Sequence, residues 1–589
     1  MRKDTFRLLP PGAVTLLPSV FARRAAVNRR YVASLTVEGL LQNYYLEAGL
    51  WAPREITDCY GGWESPTCQL RGHFLGHWLS AAARLWAKTG DHELKGRADH
   101  IVAELARCQQ ENGGDWAGSI PRQYLDWVAR GKRVWAPHYT IHKTLMGLYD
   151  MYALAGNEQA LEIMVRWARW FSRWTAPFSR EQMDDILDVE TGGMLEAWAN
   201  LYGATGDPEH LELMRRYDRP RLFEPLRRGE DPLTNRHANT TIPEAHGAAR
   251  AFEVTGDERW HEIAQAYWEC AVTRRGYYVT GGQTNGEVWT PPHTLATRLG
   301  DKTQEHCTVY NMMRLAEYLI RWSGDVGYAD YYERNLYNGI LAQQHPQTGM
   351  ISYFLPLNPG AHKVWGTPTQ SFWCCHGSLV QAHAAYPDDI YYLNDAGVVV
   401  GQYIPSLLKT TIDGVPVEVR QTFDHQTEGT ERPNSTAVEL RVRAERPVAF
   451  ALTVRMPWWL AGRAEIALDG QPVERATAPS TWVSLEHTWS DDTLRLVLPK
   501  RLSACPLPDR PEAVAFMDGP VALAGLCDAE VTLHCEGDDP VALLRPHNTR
   551  EWGEWRPDYH TVGQPRNLIF RPLHEIVDET YTTYFPIAG

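Results

Sequence analysis

The sequence predicts a multidomain α + β protein, with an N-terminal (α/α)6 barrel, or toroid, over residues 1–385 and one or two β-sandwiches over residues 386–589. Three observations support this fold class: helical periodicity before residue 385, a repeated glycine signal between those helices, and strand alternation after it. The 589 residues are 44% hydrophobic and 22% charged, a composition typical of globular chains with more than one core.

Amphipathic helices fill the first part of the chain. From Leu75 to Trp86, and again from Leu161 to Phe171, apolar residues recur at the spacing of one buried helical stripe. Five helical segments end in a glycine followed by Asp or Asn: Gly90-Asp91, Gly156-Asn157, Gly206-Asp207, Gly256-Asp257 and Gly324-Asp325. Glycine accepts the left-handed conformation that ends one helix, and the following residue caps the next. Repeated helix pairs predict a closed toroid of six hairpins, with an open solenoid as the alternative.

Short strands fill the second part of the chain. Apolar residues alternate with polar ones in segments such as Val415–Val419, Val438–Val442 and Leu494–Leu498. The pairs Asp413-Gly414 and Asp469-Gly470 are strong hairpin signals between such strands. Many short strands separated by tight turns predict one or two β-sandwiches.

Charge and composition limit the class of partner. A net charge of −14 argues against nucleic acid or an anionic membrane as the main partner, because both need a basic surface. No run of about 20 apolar residues occurs, so no spanning helix is expected. Residues 1–11 lack the apolar core of an export signal, so we expect ten reduced cysteines and a cytoplasmic protein. The expected partner is a small sugar or oligosaccharide, and a homodimer stays open.

Three cysteines and a glutamate form the strongest candidate site. Cys374 and Cys375 are adjacent, and Glu305 and Cys307 lie about seventy residues upstream. Thiolates and a carboxylate together make a complete ligand set for one Zn²⁺ ion. Adjacent cysteines do not match the geometry of an ordinary disulfide. The alternatives are buried, inert thiols or a metal site that only holds a loop in place.

Polar clusters occur at the starts of several predicted helices. They are Arg71–His77, Trp135–Lys143, Thr191–Glu196 and His237–Pro243. If these starts share one end of the toroid, their side chains line a single cavity. A glycine-rich loop, Thr280–Trp289, carries Glu287 as its only titratable side chain. A carboxyl group beside an apolar Trp can have a raised pKa and donate a proton at neutral pH.

Several motifs together resemble one enzyme family. They are Gly281-Gly282 with Gly286-Glu287, Glu305-x-Cys307 with Tyr310-Asn311-Met312, Tyr328–Arg334, Leu336-Tyr337-Asn338 and Cys374-Cys375. In this order they resemble the zinc-dependent β-L-arabinofuranosidases of glycoside hydrolase families 127 and 146. The resemblance covers roughly residues 10–385 and continues more weakly through Arg455–Trp459.

The resemblance implies a function and a role for each site residue. It implies a retaining, exo-acting glycoside hydrolase with Cys374 as the nucleophile and Glu287 as the acid/base. It also implies zinc held by the four residues Glu305, Cys307, Cys374 and Cys375. The implied sugar contacts are His142, Glu196, His237 and Tyr353.

Two residues depart from the family pattern. His306 stands where a small residue is usual, and His376 stands where Thr or Pro is common. Either ring can reach the surroundings of the metal or reshape the sugar site. Three alternatives therefore stay open: a hydrolase of another furanoside or unusual plant sugar, a non-catalytic protein that binds zinc and sugar, and a toroid lyase or epimerase.

Overall fold

Sixteen α-helices make up the N-terminal part of a computed structural model that describes residues 4–50, 59–423, 432–551 and 554–589. In chain order the helices are α1 Val20–Ser34, α2 Val37–Glu47, α3 His73–Thr89, α4 His92–Glu111, α5 Gln123–Ala129, α6 Pro137–Ala155, α7 Glu158–Thr175, α8 Arg180–Val189, α9 Met194–Thr205, α10 Pro208–Arg216, α11 Pro220–Arg227, α12 Ala238–Thr255, α13 Glu258–Trp268, α14 His306–Ser323, α15 Val326–Asn335 and α16 Cys374–Ala385. No helix in these ranges is long and apolar enough to cross a membrane.

Six helices form a closed inner ring. Helix α3 packs against α6, α6 against α9, α9 against α12, α12 against α14, α14 against α16, and α16 against α3 again. Helices α4, α7, α10, α13 and α15 each pack outside the inner helix that precedes them, and α1 packs outside α16. The predicted (α/α)6 toroid is therefore confirmed, and its closed ring excludes the open solenoid. The outer helix of the last pair comes from the start of the chain.

The glycine signals occupy the predicted turns between inner and outer helices. Each of the five glycines has φ between 67° and 72°, in the left-handed region. The Asp or Asn that follows accepts a hydrogen bond from a backbone N–H in the first turn of the next helix. These caps reverse the chain after each inner helix. All inner helices therefore run in one direction, and their N-terminal ends share one mouth of the toroid.

A pair of glycine substitutions tests this capping role. Gly206 has φ of 67° and open space around its Cα, so Gly206→Ala should lower the free energy of unfolding by about 1 kcal/mol through backbone strain alone. Gly96 also has open space but lies inside α4, where alanine is the better helix former. Gly96→Ala should raise the free energy of unfolding by about 0.8 kcal/mol. Urea unfolding followed by far-ultraviolet circular dichroism measures both, and shifts of the same sign would contradict the capping role.

Twenty-one strands occur in the described ranges, most of them after the toroid. In chain order they are β1 Val14–Leu16, β2 Thr284–Asn285, β3 Val288–Trp289, β4 Tyr391–Leu393, β5 Gly397–Val400, β6 Ser406–Ile412, β7 Val415–Phe423, β8 Ser435–Met456, β9 Glu465–Leu468, β10 Gln471–Pro472, β11 Thr481–Pro499, β12 Leu502–Leu507, β13 Arg510–Asp518, β14 Val521–Gly525, β15 Leu533–His534, β16 Leu544–Pro546, β17 Arg550–Glu551, β18 Glu554–Trp555, β19 Tyr559–Thr561, β20 Ile569–Pro572 and β21 Phe585–Ala588.

Two large sheets form the C-terminal β region. The nine-stranded sheet has the order β1-β6-β7-β8-β11-β9-β10, with β5 pairing β8 and β4 pairing β5. The eight-stranded sheet has the order β15-β21-β13-β14-β20-β19-β16, with β12 pairing β13. Strand β1 precedes the toroid in sequence yet pairs antiparallel with β6. The start of the chain therefore ties the helical part to the first sheet.

A buried ion pair fastens the first sheet to the toroid. Arg455 at the end of β8 is fully buried and pairs with Asp330 and Glu333 of α15, and its Nη2 lies 2.9 Å from the Glu333 carboxylate. The indole N–H of Trp459 donates to the same carboxylate at 2.9 Å. Removing one partner of a buried pair leaves an uncompensated charge, so this contact holds the two parts in one arrangement. It also joins two of the sequence motifs, Tyr328–Arg334 and Arg455–Trp459.

Candidate active site

The four predicted metal ligands come together at the shared mouth of the toroid. We call Glu305, Cys307, Cys374 and Cys375 the cysteine cluster. Their ligand atoms all lie within 4.8 Å of one another, and all four side chains are buried. The Sγ atoms of Cys307 and Cys375 are 3.4 Å apart, and Sγ of Cys374 lies 3.7 Å from the Glu305 carboxylate. Neighbouring inner helices thus bring together residues that are about seventy positions apart in sequence.

Two helix N-termini face the cluster. Glu305 caps α14 and Cys307 lies in its first turn, while Cys374 and Cys375 are the first residues of α16. The partial positive charge of a helix N-terminus favours a thiolate or carboxylate placed there. The structure thus places both motifs at the starts of inner-ring helices.

The four groups differ in how readily they ionise. Burial raises the pKa of Glu305, Cys307 and Cys375 well above their ordinary values. Burial also opposes ionisation of Cys374, but hydrogen bonds from the two neighbouring thiols and from the Tyr353 hydroxyl outweigh it. They hold the pKa of Cys374 well below its ordinary range. Cys374 is therefore the thiol of the cluster that is most easily a thiolate.

The donor set fits a tetrahedral zinc ion. Three thiol sulfurs and one carboxylate are the ligand types of closed, four-coordinate zinc sites. Within the described ranges, no Lys, Arg or His lies at ion-pair distance from the buried Glu305 carboxylate, whose neutral partners include Thr308 Oγ1 at 3.1 Å. A buried carboxylate without a cation is costly, and a divalent ion bound by the cluster would supply the missing charge.

Glu287 lies at the tip of a short hairpin beside the cluster. It occupies the turn between β2 and β3, where Gly286 and Glu287 have φ of 58° and 69°, as in a type I′ turn. The left-handed backbone costs a residue with a side chain about 1 kcal/mol, so surrounding contacts hold Glu287 against its local preference. Its carboxylate accepts a hydrogen bond from the Tyr353 hydroxyl and lies 3.6 Å from Nε2 of His237. The side chain is 33% exposed and therefore reaches solvent.

The Tyr353 hydroxyl joins Glu287 to Cys374. Its oxygen lies 3.3 Å from Sγ of Cys374 and within hydrogen-bond reach of the Glu287 carboxylate, so its single proton is donated to one of the two groups at a time. The Tyr353 carbonyl accepts from the backbone N–H of His306 at 3.1 Å, which fixes this segment beside α14. Since one oxygen contacts both groups, the sulfur and the carboxylate are separated by at most two hydrogen-bond lengths, about 6 Å.

Removing that hydroxyl should weaken the ionisation of Cys374. In Tyr353→Phe the hydroxyl contact that lowers the pKa of Cys374 is lost, so that pKa rises and the thiolate fraction at a given pH falls. Alkylation of Cys374 by iodoacetamide in chelator-treated protein should then need a higher pH, as followed by mass spectrometry of the modified peptide. Tyr331→Phe removes a buried hydroxyl that bonds Gln283 instead, and its alkylation profile should match that of the unchanged protein. A shift to lower pH in Tyr353→Phe would refute the contact.

A row of polar side chains supports the turn before Cys374. Phe372 has φ of 47°, and its carbonyl accepts a hydrogen bond from Nε2 of His73 at 2.8 Å. The Tyr139 hydroxyl lies 3.2 Å from Nδ1 of His73 and 3.4 Å from Nε2 of His77. Two of the polar clusters seen in the sequence, at the starts of α3 and α6, thus support the turn before Cys374.

The predicted sugar contacts divide into two groups. Tyr353 and His237 lie beside Glu287, as described above. The buried His142 ring packs against Gly193, and its Nδ1 has no hydrogen-bond partner in the described part of the chain. Glu196 is paired with Arg314 of α14 and lines a cavity toward the opposite mouth. Within the same ranges, no hydrogen bond or ion pair links His142 or Glu196 to the cysteine cluster or to Glu287.

The two departures from the family pattern have different surroundings. Nδ1 of His306 lies 2.9 Å from Oγ of Ser378, which lies 3.2 Å from Sγ of Cys307. His306 therefore reaches the cluster through one hydroxyl. His376 is buried and packs against the rings of Phe372 and Trp373, so it supports the cysteine turn by packing. Ser378 was not predicted from the sequence as a contact of the cluster, although its position one helical turn after Cys375 on α16 indicates that contact.

Tryptophans from distant loops line the mouth outside the cluster. Trp63 packs edge-on against Tyr353 with ring centroids 6.4 Å apart, and Trp135 packs edge-on against Trp63 at 4.9 Å. Trp135 is 47% exposed, and Trp373 flanks Tyr353 at 5.6 Å. The chain has 23 tryptophans, and no local pattern distinguishes these three from the buried ones.

The mouth of the toroid holds thiol and carboxyl groups under an aromatic rim, and the toroid is joined to a β region. This combination of fold and site is typical of multidomain enzymes that act on carbohydrates. Residues 13–388 match the family model for the GH127 β-L-arabinofuranosidase catalytic domain, and residues 397–500 match that for the GH127 middle domain. The chain belongs to the GH127 β-L-arabinofuranosidase family of glycoside hydrolases.

Individual relatives agree with this assignment. The non-reducing end β-L-arabinofuranosidase of Bifidobacterium longum subsp. longum is 28% identical over 464 residues, covering 67% of this chain and 65% of that protein. The chain thus aligns with slightly less than two thirds of that relative. A GH127 β-L-arabinofuranosidase from Geobacillus stearothermophilus T6 superposes with a TM-score of 0.74 at 19% identity, over 98% of this chain and 100% of that one. The GH127 β-arabinofuranosidase BT3674 gives 0.76 at 16% identity, over 100% and 99%. These structures share the fold.

Proposed function

We propose that the protein is a retaining, exo-acting β-L-arabinofuranosidase whose toroid, residues 1–385, uses Cys374 as nucleophile and Glu287 as acid/base. The observation that carries the proposal is the Tyr353 hydroxyl in contact with both groups, which limits their separation to about 6 Å. Retaining glycosidases place their two catalytic groups about 5–5.5 Å apart, whereas inverting enzymes need about 6.5–9.5 Å. The name of the Bifidobacterium relative supports action at a non-reducing end.

The reaction runs in two displacements. The Cys374 thiolate attacks C1 of the sugar, the C1–S bond forms, and the C1–O bond breaks as Glu287 gives its proton to the leaving oxygen. Water then attacks C1, Glu287 takes a proton from it, and the C1–S bond breaks to release the Cys374 thiolate. Two inversions at C1 give net retention. Tyr353 positions both groups and stabilises the thiolate in the free and product states.

The cysteine cluster is proposed to hold one zinc ion through Glu305, Cys307, Cys374 and Cys375. When bound, zinc keeps the cluster's thiols deprotonated and stabilises the sulfur that leaves C1. The surrounding protein keeps water away from the buried sulfurs, while Glu287 stays open to solvent for proton exchange.

The aromatic and polar side chains at the mouth support a position for each part of the substrate. Sugar C–H faces pack on aromatic rings, so the Trp63–Trp135 pair suits the leaving-group side of a small oligosaccharide, just outside Tyr353. His237 beside Glu287 suits a hydroxyl of the sugar that is cleaved. All ten cysteines are unpaired, which suits a reducing, cytoplasmic compartment.

A stereochemical assay tests the function directly. A panel of aryl furanosides and pyranosides is incubated with the enzyme, and the first-formed anomer is read by proton NMR. We expect hydrolysis of the aryl β-L-arabinofuranoside with β-L-arabinose appearing first. The α-anomer first would exclude retention. An unsaturated product would instead indicate a lyase, and an epimerised sugar would indicate an epimerase.

Metal removal tests the proposed zinc site. The purified enzyme should contain about one zinc per chain by mass spectrometry of the metal. A chelator should abolish activity and lower the melting temperature, and added zinc should restore both, because binding to the folded state stabilises it. Cys375→Ser should lose zinc affinity by more than about 100-fold, since it removes a direct ligand. Cys505→Ser makes the same change in the β region and should keep full zinc content, so equal loss in both variants would refute the site.

A further inference from the structure

A large cavity lies outside the toroid, away from the cysteine cluster. It is a cleft of about 940 Å³ between the outer helices α13 and α15 and the first sheet. We call it the outer cleft and define it by the aromatic residues Trp268, Tyr277, Tyr328, Tyr331 and Trp458. Binding sites for small ligands usually have about 300–1,000 Å³, so the outer cleft has room for an oligosaccharide.

The aromatic rings of the outer cleft form a fixed row. Trp268 stands edge-on to Tyr328 at 5.0 Å and to Tyr331 at 4.8 Å, and Tyr331 stands edge-on to Tyr277 at 5.9 Å. Trp268 and Tyr331 are buried, whereas Tyr277 is 39% exposed. Edge-on packing at the base fixes the positions of the outer rings.

Arg334 locks the far end of this row. Its guanidinium lies 3.9 Å from the Trp458 ring centroid and 5.4 Å from that of Tyr277. It also donates to the Val279 carbonyl at 2.9 Å. Because the base of the platform is fixed before any ligand arrives, binding costs little side-chain entropy.

Some polar groups in the outer cleft are available to form hydrogen bonds with the hydroxyl groups of a sugar. The Tyr277 and Tyr328 hydroxyls have no hydrogen-bond partner within the described ranges, although their rings are held in place. Glu269 is exposed on the α13 side and has only a long contact of 3.9 Å with Arg274, whereas the exposed Glu262 pairs with Arg227 at 2.6 Å. Asp330, in contrast, is engaged by Arg455 and by Ser480 at 2.6 Å. Free hydroxyls and carboxylates beside aromatic faces are complementary to sugar rings.

The charge of the lining narrows the ligand class. Four carboxylates line the outer cleft, but Glu262 is paired with Arg227 and Asp330 with Arg455. Glu269 and Asp325 are left beside the one lining guanidinium, Arg334, which is already placed between two rings. An anionic ligand such as a phosphate or a uronic acid polymer would be repelled. A neutral ligand with many hydroxyls meets no such penalty.

We propose that the outer cleft is a second carbohydrate-binding site, which takes a neutral oligosaccharide or a stretch of neutral polysaccharide without cleaving it. The aromatic row supplies stacking faces, and the tyrosine hydroxyls and Glu269 supply hydrogen bonds. No residue that lines the outer cleft belongs to the cysteine cluster or is Glu287. The choice of an arabinose polymer as the probe rests on the proposed function.

Affinity electrophoresis in gels containing soluble arabinan tests the proposal. The unchanged protein should be retarded by arabinan and not by dextran sulfate at equal concentration. The double variant Tyr277→Ala/Tyr328→Ala should lose at least about five-fold in arabinan affinity, yet hydrolyse an aryl β-L-arabinofuranoside within two-fold of the unchanged rate. Tyr124→Ala removes a half-buried ring that stacks on Trp127 elsewhere, and should change neither property.

The other outcomes of this experiment distinguish failure of the second site from failure of the proposed function. Equal retardation of the double variant, or no retardation of any form, would overturn the second site. Hydrolysis of the aryl glycoside would then still support the proposed function. Retardation that needs the outer cleft, without hydrolysis of any aryl glycoside, would keep the second site and refute the proposed function. A concentration-dependent dimer that the double variant loses would assign the outer cleft to a second copy of the chain and overturn the proposal.

Discussion

Replacing Cys374 with alanine should lower kcat by about 10⁴-fold or more, because the proposed double displacement begins with attack of its thiolate on C1. The small cavity left by the side chain admits azide. Added azide should therefore restore part of the turnover and give the glycosyl azide of inverted configuration, which NMR identifies. A retained product would show that another group still forms the covalent bond.

Loss of metal must be separated from loss of the nucleophile in this experiment. Cys375→Ala removes a neighbouring thiol of the same cluster, so both variants should bind zinc more weakly. Only Cys374→Ala should yield the inverted azide product after zinc is restored at high concentration. An electrophilic arabinofuranose analogue should label the peptide that contains Cys374 in the unchanged protein. Labelling of Cys307 or Cys375 instead would move the nucleophile to that thiol.

Replacing Glu287 with alanine should lower kcat by about 10²- to 10⁴-fold for a disaccharide, whose leaving oxygen needs a proton. An activated aryl glycoside leaves as a weakly basic phenolate, so its first displacement should lose about ten-fold or less. Azide should then speed the second displacement and give the glycosyl azide of retained configuration. The opposite stereochemistry in the two azide experiments identifies nucleophile and acid/base independently.

Two controls sharpen the test of Glu287. Zinc content should stay unchanged, because Glu287 is not among the clustered ligands. Glu269→Ala removes an exposed carboxylate from the outer cleft and should leave both substrates hydrolysed at the normal rate. Equal losses for the disaccharide and the aryl glycoside in Glu287→Ala would contradict a role in protonating the leaving group.

Much of the fold could be predicted because its determinants are local. A glycine with positive φ and a capping Asp act over two to four residues, so the five helix turns were visible in the sequence. The members of the cysteine cluster could also be predicted from the sequence, because ligand identity depends on side-chain chemistry and on the order of the residues along the chain.

Other features depend on how the ring closes and were not predictable locally. Helix α1 completes the last helix pair, and β1 joins a sheet formed almost 400 residues later, because both contacts need the whole toroid in place. Glu196 looked like a free polar contact in its own segment, but Arg314 arrives from another inner helix and neutralises it. His306 contacts the Ser378 hydroxyl on α16, whereas His376 packs among aromatic rings. The residues around each histidine cause this difference, because the two side chains are chemically the same.

The sequence by itself therefore determined the repeating helix pairs, the strand-rich second part, and which thiols and carboxylates are available for chemistry. Only the tertiary structure decided which of them touch, because distances between inner helices follow from the packing of the closed ring. Tyr353 shows the difference most clearly. Its hydroxyl joins Cys374 to Glu287, and that one contact sets the spacing on which the proposed retaining reaction depends.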